Sequence, residues 1–222
     1  MQHAPSAQYL VLTGSDGVGK STLCALLLQE LQGKLGVEKV ALFSLWEYVQ
    51  KGEISTVSKD ALSFATSLSS RSRMSLLLFC FSRGLELLHA AHPHLEILLI
   101  DGYWFKYAAN ERARGVPPEE ADLPFSLLPR ADLVFYLQAD PASLLKRKTT
   151  FTAYELGPES QGKSPQLQFQ RFQQKLNGEL IRMCDANPQW IPIHADADLP
   201  TLHQELSQFL SSWIQTKRRH NQ

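Results

Sequence analysis

The sequence predicts an α/β fold built on a five-stranded parallel sheet, and three observations carry that prediction. Short apolar runs recur at 9–13, 39–45, 95–100, 133–137 and 190–194, with helical patterns between them. Parallel neighbours need long crossovers, and these intervals supply them. The first run leads directly into a glycine-rich turn and then a helix pattern, the context of a strand that feeds an anion-binding turn. The chain's 222 residues, 44% of them hydrophobic, provide for one core and leave little need for a second, so one domain over 1–222 is expected.

Taken in order, Tyr9-Leu10-Val11-Leu12-Thr13 is apolar almost throughout, as a strand covered on both faces must be. The first helix is expected from about Lys20, because Leu23, Leu26, Leu27 and Leu31 recur at helical spacing before Gly33 offers a stop. Segment 55–75 is rich in serine and threonine, yet Leu62, Phe64, Ala65 and Leu68 suggest a short helix within it. A long helix over 75–91 carries Leu77, Leu78, Phe81, Leu85 and Leu88 and ends before Pro93. Two segments read as irregular surface: 115–129, with four prolines, and 149–165, which follows the basic run Lys146-Arg147-Lys148. The basic residues at 217–220 read as the solvated end of a C-terminal helix, and no internal repeat is present.

Composition narrows the partners. The 22 Lys+Arg balance the 22 Asp+Glu, so bulk charge gives no reason to expect nucleic acid or an anionic membrane, and any anion site must be local. Cys24, Cys80 and Cys184 lack the paired spacing of a zinc site or disulfide framework, which predicts free, buried thiols. Residues 1–8 lack the basic start and apolar run of a signal peptide, and no run approaches the ~20 apolar residues of a membrane span. A cytoplasmic protein is expected.

The chemistry centres on Gly14-Ser15-Asp16-Gly17-Val18-Gly19-Lys20-Ser21-Thr22, which holds the spacing G-x-x-x-x-G-K-[ST]. Glycines let consecutive backbone amides turn inward on an anion, Lys20 is placed to reach the outer phosphates of a nucleoside triphosphate, and the Ser21 hydroxyl is a ligand for Mg²⁺. Asp101 closes the apolar run 95–100, at the carboxyl end of a strand, where ligands bind in such sheets. There it is a candidate to orient Mg²⁺ or hold the acceptor.

Beyond the motif itself, the chain resembles the thymidylate kinase family of nucleoside monophosphate kinases over residues 9 to about 198. The likeness rests on the order of several segments: the phosphate loop with acidic Asp16; Phe79-Cys80-Phe81-Ser82-Arg83, similar to an F-x-x-x-R helix; Asp101-Gly102-Tyr103, similar to D-R-Y; and Ala131-Asp132-Leu133 through Leu137 with Asp140-Pro141, similar to the strand and turn that enter the lid. The resemblance implies the strand order 2-3-1-4-5, ATP as donor, Mg²⁺, a deoxynucleoside monophosphate as acceptor, and a homodimer. It further implies that Phe79 stacks on the acceptor base and Arg83 meets its edge. Asp16 would take a sugar hydroxyl, Tyr103 and Tyr154 would line the acceptor, and a lid cation from about 146–165 would cover the transferring group. Lys146, Arg147 and Lys148 are the candidates, with Arg147 first because its guanidinium binds phosphate bidentately.

The chain also departs from the family pattern. Gly102 stands where the D-R-Y arginine holds the acceptor phosphate, and Phe43-Ser44-Leu45-Trp46 lacks the arginine of an F-P-x-R segment. A phosphate dianion in a closed site needs charge-assisted partners. Either Lys106, Arg71 or Arg73 supplies them, or the acceptor is a different phosphorylated or hydroxyl-bearing metabolite. A nucleotide-binding regulator without phosphotransfer is the third reading the sequence leaves open.

Overall fold

Strict alternation explains why the strands read as continuous apolar runs. In the first strand, Tyr9 and Val11 point into one buried layer while Leu10 and Leu12 point into the other. The same division recurs at 97–100 and 133–137, so both faces of the sheet are covered and both are predominantly apolar. The structure, a computed structural model, describes residues 7–51, 65–158 and 164–220.

The chain runs β1 (Gln8–Gly14), α1 (Lys20–Leu35), β2 (Val40–Ser44), α2 (Leu45–Lys51), α3 (Ser70–Ala91), β3 (Ile97–Asp101) and α4 (Trp104–Ala113). It continues with α5 (Pro118–Asp122), a 3₁₀ turn (Leu123–Leu127), β4 (Leu133–Gln138), α6 (Pro141–Arg147), α7 (Ala153–Leu156), α8 (Pro165–Asp185), β5 (Trp190–His194) and α9 (Leu199–His220). The five strands form one parallel sheet in the order β2-β3-β1-β4-β5. The expected class, strand number and order therefore stand. α1 and α9 cover one face through Leu23, Leu27, Leu31, Leu202, Leu206 and Leu210; α3, α4 and α8 contribute to the core on the other.

Several boundaries differ from expectation for identifiable reasons. α1 runs past Gly33 to Leu35, since an exposed mid-helix glycine costs only about 1 kcal/mol, and ends at Gly36. α3 starts at Ser70, capped by the Ser69 side chain, five residues before its expected start at 75. The segment 115–129 is not irregular throughout, because Pro118 and Pro124 sit in the first turns of α5 and the 3₁₀ helix, where no amide is needed. Residues 65–67 are helical, and the rest of the expected short helix falls at 55–64, outside the described residues apart from its end. α3 is long and apolar enough to cross a membrane by length and composition, contrary to the sequence expectation. One side of it, with Met74, Leu77, Phe81 and Leu85, is built into the core. Cys24 and Cys80 are buried free thiols as expected, and Cys184 is half-buried and free.

Candidate active site

Register brings the two chemical segments together. Leu12 of β1 lies opposite Asp101 of β3, and the Gly102 amide donates to the Leu12 carbonyl at 2.9 Å. The phosphate loop and the β3 carboxylate thus emerge side by side from adjacent strands. Gly14 sits where a side chain cannot: φ is +148°, and a Cβ would lie 2.6 Å from the Leu137 carbonyl oxygen of neighbouring β4. α1 then opens after Gly19 with no side-chain cap, leaving the first-turn amides of a 16-residue helix for an anion.

Within the loop, Lys20 is buried and folds back, Nζ donating to the carbonyls of Gly14 (3.0 Å) and Ser15 (2.8 Å). Burial, reinforced by the like charge of Lys106, pulls its pKa down to about 8. The Ser21 hydroxyl donates to Asp101 Oδ2 at 2.5 Å. A hydroxyl and a carboxylate converging at the loop mouth form the hard oxygen set that Mg²⁺ accepts when phosphates and water complete its shell. Among the described residues no group of three His, Cys, Asp or Glu side chains is placed to hold a metal.

These residues line one cleft of about 460 Å³ together with Ser44, Trp46, Glu47, Gly102, Lys106 and Tyr107. Asp16 and Lys106 form an ion pair across it. Burial opposes both charges, yet each partner outweighs it: Lys106 first, then Lys20, holds the Asp16 carboxyl below its ordinary value, and Asp16 raises Lys106. Gly102, at φ +65°, opens space between the two lysines; a Cβ there would lie 3.8 Å from Lys106 Cδ and 3.9 Å from Lys20 Cε. The position that lacks an arginine is therefore flanked by two lysine stems.

Behind Lys106 runs a buried polar seam in which Asn110 and Arg114, missed by sequence reasoning, join the expected Tyr154. Asn110, one turn on along α4, accepts from Arg114 Nε at 2.8 Å, and Arg114 donates to the Tyr154 carbonyl at 2.7 Å while its guanidinium stands 5.0 Å over the Tyr154 ring. Asp16 Oδ2, Asn110 Nδ2 and the Tyr154 hydroxyl are buried and have no hydrogen-bond partner among the described residues. Three buried polar atoms without partners each carry a desolvation cost of about 1–3 kcal/mol. The i, i+4 spacing of Lys106 and Asn110 was a signal available in the sequence.

The structure brings Asp16, Lys20, Ser21 and Asp101 to the cleft, but Phe79, Arg83, Tyr103, Arg147 and Tyr154 do not line it, Tyr154 being buried against Arg114. Phe79 is 58% exposed on the outer face of α3, because the stripe facing the core runs through Arg73, Leu77, Phe81, Gly84 and Leu88. Arg83 shares its side of the helix and pairs with Glu86 at 3.4 Å. Tyr103 points into the core, packs edge-on against Phe81 and donates to the Pro129 carbonyl at 2.9 Å. Arg147 turns to the end of the sheet, both terminal nitrogens donating to the Ala195 carbonyl at 3.2 Å. Its neighbour Lys148 lies beside the phosphate loop: a Cβ on Gly17 would lie 3.8 Å from Lys148 Cβ and Cδ, and Nζ pairs with Glu155 Oε1 at 2.5 Å. Of the proposed replacements for the absent arginines, Arg73 is bound bidentately to buried Glu111 (2.6 and 2.9 Å) and Arg71 lines a different hollow. Lys106 alone of the three lines the cleft.

No family model matches the chain, and no curated protein matches its sequence. Among solved structures, thymidylate kinase from Ehrlichia chaffeensis aligns with 93% of this chain and 100% of its own at a TM-score of 0.68 and 16% identity. The chain has a thymidylate kinase fold. Within that thymidylate kinase fold Asp16, Lys20, Ser21, Asp101, Gly102 and Lys106 line one cleft, and Lys148 lies beside Gly17.

Proposed function

We propose that the protein is a kinase that moves the γ-phosphoryl group of ATP to a deoxynucleoside monophosphate, thymidylate first among the acceptors. The observation that carries this reading is one cleft that gathers the loop's Lys20, the Ser21–Asp101 pair and a second lysine. Lys106 lines it beside an aromatic wall of Trp46 and Tyr107.

In this reading the donor phosphates lie on loop 14–22, with Lys20 turning from the Gly14 and Ser15 carbonyls to the β and γ oxygens. Ser21 and Asp101 would hold Mg²⁺, which neutralises charge on the phosphates when bound. The acceptor oxygen attacks the γ-phosphorus, the bond to the β–γ bridging oxygen breaks, and that oxygen leaves with the electron pair as part of ADP. A phosphomonoester dianion brings no proton to remove, consistent with a cleft whose described lining holds no histidine. Lys148 covers the transferring group and excludes water. A sugar hydroxyl supplies a partner to Asp16 Oδ2, and the seam at Asn110 and Tyr154 adjoins it.

A coupled ADP-release assay across nucleoside monophosphates tests the proposal. Turnover with thymidylate is expected, and its absence with every monophosphate sinks the idea. The lone Lys106, in place of two arginines, favours a second reading in which the acceptor is another phosphorylated metabolite. Faster turnover on such a compound than on thymidylate would select it.

A further inference from the structure

The loop that would cradle phosphate is held from behind by two side-chain amides, one turn apart on α8. Gln173 is fully buried; its Oε1 accepts from the Asp16 amide at 3.2 Å, and its Nε2 donates to the Glu155 carbonyl at 3.4 Å. Asn177 repeats the arrangement. Its Oδ1 accepts from Ser15 Oγ at 3.3 Å and from the Tyr136 hydroxyl at 2.7 Å, and its Nδ2 donates to the Ala139 carbonyl at 3.3 Å. Each amide grips one loop residue with its acceptor and one end of segment 139–155 with its donor.

That division has a physical consequence. A carboxamide offers donor and acceptor at fixed separation in one plane, so movement of one partner strains the bond to the other. Burying an amide among apolar neighbours such as Phe169, Phe172 and Leu176 is favourable only while both ends are satisfied, whereas an apolar residue would fill the same place without that condition. The far partner is also the working part of the lid. Glu155 caps α7 through Thr152, and its carboxylate holds Lys148 beside Gly17.

We propose that Gln173 and Asn177 are positioning residues that couple the phosphate loop to the lid, so that nucleotide on residues 15–20 steadies segment 139–155, and with it Lys148, in the place the amides hold them. The inference rests on the nucleotide reading above. Gln173→Glu keeps an acceptor for the Asp16 amide but removes the donor to Glu155, and Asn177→Asp does the same toward Ala139.

Hydrogen exchange on the full chain, with and without a non-hydrolysable ATP analogue and Mg²⁺, reads the coupling directly. In the unaltered protein the analogue should increase protection across 148–156. In Q173E the analogue should still bind within about threefold while that gain is lost, and kcat with thymidylate should fall about tenfold with KM for ATP within about threefold. N177D carries the same test if Q173E fails to fold by circular dichroism. An undiminished gain in protection in the folded variants overturns the coupling, as does a tenfold loss of analogue affinity with lid protection retained, which would make the amides mere loop braces. Failure of the unaltered protein to bind the analogue instead removes the nucleotide reading, and the coupling with it.

Discussion

Lys20 is held between carbonyl acceptors inside the fold, with its ammonium depressed to about 8 by burial. The sign follows from linkage. Below pH 8 both folded and unfolded chains carry the proton and the folded state bears the full desolvation cost. As pH rises from 8 toward the unfolded value the folded state releases its proton first, and stability increases. Phosphate binding has the opposite dependence because it requires the charged form. ATP affinity should therefore weaken as pH rises above about 8, with proton uptake on binding near that pH, both measurable by calorimetry in buffers of different ionisation enthalpy. Arg73 offers a second test. Arg73→Ala leaves Glu111 buried without its bidentate partner and should cost about 3–5 kcal/mol in urea denaturation, whereas replacing both partners with apolar residues of similar volume should recover much of that loss. At this scale the loop residues were legible because their chemistry is local: a glycine spacing, a lysine and a hydroxyl in consecutive positions. The locked Arg73–Glu111 pair was not, because Arg73 and Glu111 lie on different helices that only the folded chain brings together.

Two elements show why residue type and spacing stop short of direction. α3 is apolar on most of its surface, so its sequence does not say which stripe meets the sheet; the F-x-x-x-R spacing correctly puts Phe79 and Arg83 on one side, and packing turns that side outward. Phe79→Ala should accordingly change KM for thymidylate less than threefold, a measurement that would restore the stacking role if KM rose tenfold or more. The lid segment makes the same point over three consecutive cations. α6 ends at Arg147, which reaches back to the Ala195 carbonyl, while Lys148 lies past the helix end in extended backbone and falls beside Gly17. Lys148→Met should lower kcat by about 10²-fold with ATP KM little changed, and Arg147→Met should act mainly on stability.

Across the whole molecule, the sheet places β1 and β3 side by side so that two segments separated by eighty residues meet at one edge. Binding confined to that folded edge must stabilise the entire domain by mass action. At about 100 times its Kd, ATP with Mg²⁺ should add about 2.7 kcal/mol and raise Tm by roughly 5–10 °C in differential scanning fluorimetry; an unchanged Tm at saturating nucleotide would count against the site. Hydrophobic alternation, helix crossovers and the glycine-lysine motif were enough to specify the layers, the number of strands and the position of the phosphate loop, since each depends on neighbours within a few residues or on a run's overall burial. The rest of the cleft lining depended on long-range packing instead. That Lys106 rather than Arg71 or Arg73 enters it, that Asn110 and Tyr154 bury unpaired atoms behind it, and that Gln173 and Asn177 bond the loop all follow from how α3, α4, α7 and α8 pack together. Rotation about a helix axis is set by the sum of many weak contacts across the core, and no local spacing records that sum.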